Sequence, residues 1–310
     1  MSTDPRSWTI GLVGYGEVGR ILAEDLRALG VEHVLAYDIK DEAGLRAHAA
    51  QYGIRLAAGH AELAAGADLV ISAVTASQAV PVAESCAPGL RPGTWVLDLN
   101  SASPGAKIAA AQLVEGAGGR FVEGAVMTSV PPYRIRVPML LGGPHAEGLA
   151  PALDALGFEA KGASVELGVA SATKMCRSVM IKGLEAMVIE SFTAARAYGV
   201  EEAVLASLAE TYPGMDWENL GAYFFQRVIR HGRRRAEEMR EVAQTVREIG
   251  LEPWSAQGTA ERQAWVADLA DQGRFGAKDG AEFAKSADWR VEADRILAKV
   301  KPKAKVKPKE

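Results

Sequence analysis

Apolar positions in the first half of the chain recur in short runs, each closed by small or polar residues and followed by a stretch with helical spacing. Residues 8–13, WTIGLV, form the first run and end at Gly14-Tyr15-Gly16-Glu17-Val18-Gly19. Ile21, Leu22, Leu26 and Leu29 then fall on one helical face. The same alternation predicts strands over 34–37, 68–73, 94–99, 121–126 and 139–141, with one more near Phe158. It predicts helices starting near Asp41, Ser77, Pro104 and His145. Such a pattern implies a doubly wound sheet whose ligand lies at the C-terminal ends of the strands. The residues at those ends are Val74 and Thr75, then Asn100, Ser101 and Ser103, then Met127, Thr128 and Ser129.

Beyond Gly168 the period is helical throughout. A nearly continuous helix is expected over 168–198 with Gly199 as its stop, followed by helices over 201–211, 216–249, 253–271 and 279–299. Gly183 lies inside the first of them, which costs about 1 kcal/mol against Ala and signals a close backbone approach or a tolerated loss. The fold class is therefore an α/β Rossmann-type N-terminal domain over 1–164 followed by an all-α C-terminal domain over 165–299. The Lys- and Pro-rich end, 300–310, reads as a disordered basic tail. The Pro-rich VPPYRIRVP after Ser129 reads as a loop or edge, with Arg134 and Arg136 on a solvated face.

Composition narrows the function classes. A chain of 310 residues exceeds what one core usually organises. With 48% apolar residues and a net charge of -4, it reads as an ordinary soluble protein, and nucleic acid is not an expected partner. Cys86 and Cys176 are the only cysteines and lie far apart, so neither a disulfide framework nor a metal site is expected, and a reducing cytoplasm fits. The start, MSTDPRSWTI, lacks a signal-peptide pattern, and no apolar run reaches membrane-spanning length.

The glycine-rich turn carries the first chemistry. Between a strand and a helix, Gly14 allows the tight turn, Gly16 lets backbone approach a pyrophosphate, and Gly19 lets the helix sit close to the strand. Glu17 and Val18 open that helix, whose orphan N–H groups face phosphate. Asp38 ends the second strand about 20 residues further on, where a carboxylate accepts hydrogen bonds from ribose hydroxyls. A 2'-phosphate would meet like charge there, so NAD is preferred, while Lys40 and Arg46 keep NADP open.

In order, these motifs resemble those of the β-hydroxyacid dehydrogenase family, which includes hydroxyisobutyrate and phosphogluconate dehydrogenases. GLVGYGEVG (11–19) is similar to the cofactor fingerprint, and DLNSASP (98–104) to the D-x-S-T-x-P segment near substrate and nicotinamide. FVEGAVMTS (121–129) stands where the family has D-A-P-V-S-G-G. GVASATK (168–174) resembles G-x-G-x-x-x-K, and FGAKD (275–279) a late K-D motif. The resemblance implies that Lys174 is catalytic and that Lys278 approaches the site on the cofactor side, while Val74 and Thr75 are cofactor-binding candidates as strand-end residues. Departures matter too. Met127-Thr128-Ser129 replaces S-G-G, Ser178 replaces an asparagine, and Arg177 and Ile181 stand where phosphogluconate dehydrogenases have a histidine and an acid. The resemblance is therefore to a divergent branch, and a sugar-phosphate substrate is not implied.

The implied chemistry is hydride transfer between nicotinamide and a small hydroxy compound, with Lys174 as general acid/base. A free lysine titrates at about 10.4, and apolar burial or neighbouring cations lower that value towards a useful base. Ser101, Thr128, Ser129 and Ser178 are the expected substrate-oxygen ligands, and Arg177 or Lys182 the expected partner of a substrate anion. An imine or ketone reductase on the same plan, and a non-catalytic dinucleotide-binding sensor, remain alternatives. The apolar faces of the long helix suggest a homodimer.

Overall fold

The structure, a computed structural model, describes residues 4–298 apart from Asp41 and Glu282; the expected tail over 300–310 lies outside them. The first half runs β1 (Thr9–Val13), α1 (Glu17–Ala28), β2 (His33–Tyr37), α2 (Ala43–Tyr52), β3 (Arg55–Leu56), α3 (His60–Gly66), β4 (Leu69–Ser72) and α4 (Ala79–Cys86). It continues through β5 (Trp95–Asp98), α5 (Pro104–Gly116), β6 (Arg120–Val126), α6 (Val130–Tyr133), β7 (Met139–Gly142), α7 (Ala146–Ala155) and β8 (Ala160–Ser164). The strands form one sheet in the order β3-β2-β1-β4-β5-β6-β7-β8. All neighbours are parallel except β6 and β7, which pair antiparallel across the 130–137 connection.

Parallel strands covered on both faces need apolar residues on both. Ile10 and Leu12 of β1 point into one core with Leu22, Leu26 and Ile71, while Val13 joins Leu63, Val70, Val96 and Phe121 on the other side. Gly11 faces α3 so closely that a Cβ there would come 2.6 Å from Leu63 Cδ2.

The second half is helical: α8 (Val169–Tyr198), α9 (Glu201–Thr211), α10 (Trp217–Glu248), α11 (Trp254–Asp271) and α12 (Trp289–Leu297). Two compact units result. Among the described residues, one holds those up to Arg177 together with Gln244–Glu252; the other holds Ser178–Ala243 and those from Pro253 to Ala298. Phe192, Phe225, Val228, Ile229, Val266, Phe275 and Trp289 centre the core of the helical unit.

The helix expected over 279–299 is corrected. The chain after α11 turns through Gly273 and Gly276, both at positive φ, and buries Phe275 and Phe283 before any helix resumes. Asp288 then caps α12 by accepting the Arg290 N–H at 2.9 Å. The apolar residues of 275–284 anchor turns rather than a helical stripe.

Candidate active site in the α/β unit

The glycine-rich turn has the geometry its spacing implies. Gly14 sits at φ +88°, where a Cβ would lie 2.5 Å from Ala73 O, and a Cβ on Gly19 would lie 2.1 Å from Gly14 O. At Gly16 the same construction meets nothing within 4 Å. That opening lies at the start of α1, beside Glu17 and Val18, and no side chain caps the helix. Unfilled space before uncapped N–H groups fits a dinucleotide pyrophosphate.

Asp38 holds the turn from the end of β2. Its Oδ2 accepts the Tyr15 N–H at 2.8 Å and its Oδ1 accepts the Lys40 N–H at 2.9 Å. Tyr15 is itself buried, with its hydroxyl 2.9 Å from His48 Nδ1, and burial pushes its phenol up to about 12. The chain of contacts continues from His48 Nε2 to Glu24 at 3.0 Å and from Glu24 to Arg134 at 2.6 Å. Arg134 stays partly exposed, in keeping with a solvated face, and its guanidinium is paired there with Glu24 and Asp25; Ile135 N–H donates to Asp25 as well. Arg136 is exposed.

At the ends of β4 and β5, buried polar groups tie the loops together. Asn100 accepts the Val74 N–H at 2.7 Å and donates to Ser72 Oγ at 2.9 Å. Asp98 accepts the Asn100 N–H at 2.9 Å, and Lys107 of α5 donates to the Asp98 carbonyl at 2.8 Å and pairs with its carboxylate at 3.1 Å. Both members of the pair are almost fully buried. The loop they fix carries Ser101, while Thr75 is exposed after β4.

Lys174 comes to this loop from α8. Its Nζ donates to Ser101 Oγ at 2.5 Å. One turn on, Arg177 Nη1 donates to Met127 O at 3.4 Å, which brings the guanidinium to the exposed Thr128 and half-buried Ser129 at the end of β6. The start of α8 is docked on the sheet by Glu123 of β6, which is 0% exposed and accepts N–H groups of Gly168 and Ala170.

Ser101, Lys174, Arg177, Thr128 and Ser129 thus belong to the unit that holds the glycine-rich turn. Ser178, Lys182 and Lys278 belong to the helical unit. There Ser178 is buried, and Lys182 Nζ donates to Glu238 of α10 at 2.5 Å, so its ammonium already has a carboxylate. Burial of that amine pulls its pKa down against the attraction of Glu238. Lys278 is exposed and paired with Asp271.

Sequence reasoning missed Glu123 and the Lys107–Asp98 pair. The available signal was a charge inside an apolar run, in FVEGAV and AKIAAA, because buried charges demand partners. Among the described residues no group of His, Cys, Asp or Glu is arranged to hold a metal, and no helix is long and apolar enough to cross a membrane.

Residues 9–101 match the NADP oxidoreductase, coenzyme F420-dependent family, and residues 195–266 match a domain of unknown function, DUF1932. The mitochondrial 3-hydroxyisobutyrate dehydrogenase of Drosophila melanogaster is 28% identical over 225 residues, 70% of this chain and 67% of that protein. A conserved hypothetical protein from Sinorhizobium meliloti 1021 is 38% identical in its solved structure, with a TM-score of 0.72 over 93% of this chain and 96% of that one. A second solved structure, of a conserved protein of unknown function similar to 3-hydroxyacid dehydrogenases, is 30% identical with a TM-score of 0.65, covering 84% of this chain and 99% of that one. The chain belongs to the β-hydroxyacid dehydrogenase family.

Within the β-hydroxyacid dehydrogenases this chain keeps the α/β unit and helical unit of the family and carries DUF1932 in the second. It departs where the family has S-G-G, since Met127, Thr128 and Ser129 close β6 here. It departs again at Ser178, in the helical unit.

Proposed function

We propose that the protein is an NAD(P)-dependent dehydrogenase of a small hydroxy compound, with Lys174 as general acid/base and NAD as the preferred nucleotide. The contact between Lys174 Nζ and Ser101 Oγ carries this reading: it places an amine and a hydroxyl together at the C-terminal edge of the sheet, in the unit of the glycine-rich turn. Gly14, Gly16, Glu17, Val18 and Gly19 would hold the pyrophosphate, Asp38 the ribose hydroxyls, and Val74 and Thr75 the nicotinamide side. When bound, the nicotinamide accepts or returns a hydride. Ser101 would hold the substrate hydroxyl oxygen, and Lys174 would take its proton in oxidation and return it in reduction. Thr128 and Ser129 offer hydroxyl donors where the family has glycines, and Arg177 pairs with a substrate anion.

Cofactor preference follows from Asp38, whose carboxylate opposes a 2'-phosphate. We place the enzyme in a reducing cytoplasm as a homodimer formed through the helical unit. Met180, Met187 and Tyr198 stand exposed along one side of α8, which supports that assembly. A monomeric mass at micromolar concentration would remove it.

The test is a spectrophotometric screen of hydroxy acids, aryl alcohols and polyols with NAD and NADP. Lys174→Ala is expected to lower turnover about 10²–10⁴-fold with nucleotide binding retained. Wild-type turnover in that variant overturns the assignment of Lys174. Absence of turnover in both directions, with nucleotide still bound, favours the sensor.

A further inference from the structure

Glu123 lies inside the apolar run of β6 with 0% exposure. A carboxylate in such a place persists only when its oxygens are satisfied. Oε1 accepts the Gly168 and Ala170 N–H groups, each at 3.0 Å, and Oε2 accepts the Ser171 hydroxyl at 3.0 Å. The two amides are orphan donors at the first turn of α8. The neighbouring strand makes room: Gly142 pairs with Glu123 across β6 and β7, and a Cβ on it would lie 2.2 Å from Glu123 Oε1.

Glu123 has a second neighbour of the same kind. Its register partner on β5 is Asp98, the residue that fixes the loop carrying Ser101. Two buried carboxylates on adjacent strands therefore hold the two halves of the Lys174–Ser101 contact, one the loop and the other the helix. Lys174 follows Ser171 by less than one turn of α8.

We propose that Glu123 is a positioning residue for Lys174: its carboxylate fixes the start of α8 on the sheet, so that the amine meets Ser101. The consequence for catalysis rests on the dehydrogenase reading above, and the positional claim stands without it. Glu123 touches no reacting atom. Its influence passes through the first turn of the helix.

The full chain is compared with Glu123→Ala, Glu123→Gln and Glu123→Asp. Glutamine keeps an oxygen for the two amides and an NH₂ group for Ser171 Oγ, whereas aspartate keeps the charge but is one methylene short. Two readouts are taken: the acylation rate of Lys174 at fixed pH, followed by peptide mass spectrometry, and kcat against KM for the nucleotide on any substrate found. Glu123→Ala and Glu123→Asp are expected to change the labelling rate at least about 3-fold. They should lower kcat about 10–100-fold with the nucleotide KM unchanged, while Glu123→Gln stays near wild type. If alanine does not fold, the aspartate and glutamine pair decides alone. Unchanged labelling and kcat in a folded alanine or aspartate variant, or equal damage in all three, overturns the proposal. A labelling change in a protein that turns over no substrate upholds the positioning role and sinks the dehydrogenase reading. Turnover lost in Lys174→Ala but intact in every Glu123 variant does the reverse.

Discussion

An ammonium and a carboxylate buried together beneath the loop that carries Ser101 are held by each other and by the groups around them. Lys107 and Asp98 are 1% and 2% exposed, and the Lys107 ammonium reaches both the carbonyl and the carboxylate of Asp98. Removing one partner leaves an uncompensated charge, which costs far more than the pair itself is worth. Lys107→Met is therefore expected to lose about 3–5 kcal/mol in urea unfolding, and Lys107→Met with Asp98→Asn to recover part of that loss. A single variant as stable as wild type would show that the pair is not holding the loop. For Lys107 and Glu123 a charge inside an apolar run signals that a partner is needed, but which residue supplies it depends on what packs over the charge. Lys174 and Ser101 were legible only through the order of the motifs around them, since a lone lysine on a helix has no distinguishing local signal.

At the scale of elements, periodicity located most strands and helices of the α/β unit to within a few residues, because those strands are short apolar runs between turn residues; β3, α3 and α6 are too short to show a period and escaped it. It failed where apolar residues pin turns. Phe275 and Phe283 are buried without forming a helical face, and α12 starts only where Asp288 can cap it. Mid-helix glycines were equally opaque, because their cost depends on a neighbouring element. A Cβ on Gly183 of α8 would meet only Thr259 Oγ1, at an ordinary 3.8 Å, so close backbone approach is not the reason for this glycine. On α10, a Cβ at Gly232 would press to 2.8 Å from Gln263 O. Gly183→Ala should accordingly stabilise by up to about 1 kcal/mol through helix propensity. Gly232→Ala should destabilise by about 1–3 kcal/mol through overpacking. Thermal melts that move in the same direction for both would contradict this account of the two contacts.

Across the whole molecule, carboxylates held by cations tie stability to pH in one direction. Hydrogen bonds from His48 and Arg134 lower the pKa of Glu24 in the α/β unit. In the helical unit Arg290 lowers that of Glu218, Arg196 lowers that of Asp294, and Lys278 with Arg233 lowers that of Asp271. A carboxylate whose folded pKa lies below its unfolded value contributes stability above the unfolded value. That contribution is lost as pH falls through the folded one. Glu292 opposes the trend, since burial raises its pKa and acidification relieves the cost of its charge. The melting temperature should therefore hold from neutrality to about pH 5 and fall below about pH 4.5, where ordinary carboxylates begin to bind protons. Glu218→Gln isolates one term, because glutamine keeps the shape but cannot titrate. Its melting temperature should lie below wild type at pH 7 by at most about 3 °C, as befits a partly exposed pair, and the gap should close as pH approaches 3. A gap that is constant with pH would mean that Glu218 acts by packing against Trp289 and not by its charge. A gap that widens in acid would reverse the sign of the linkage and refute the lowered pKa.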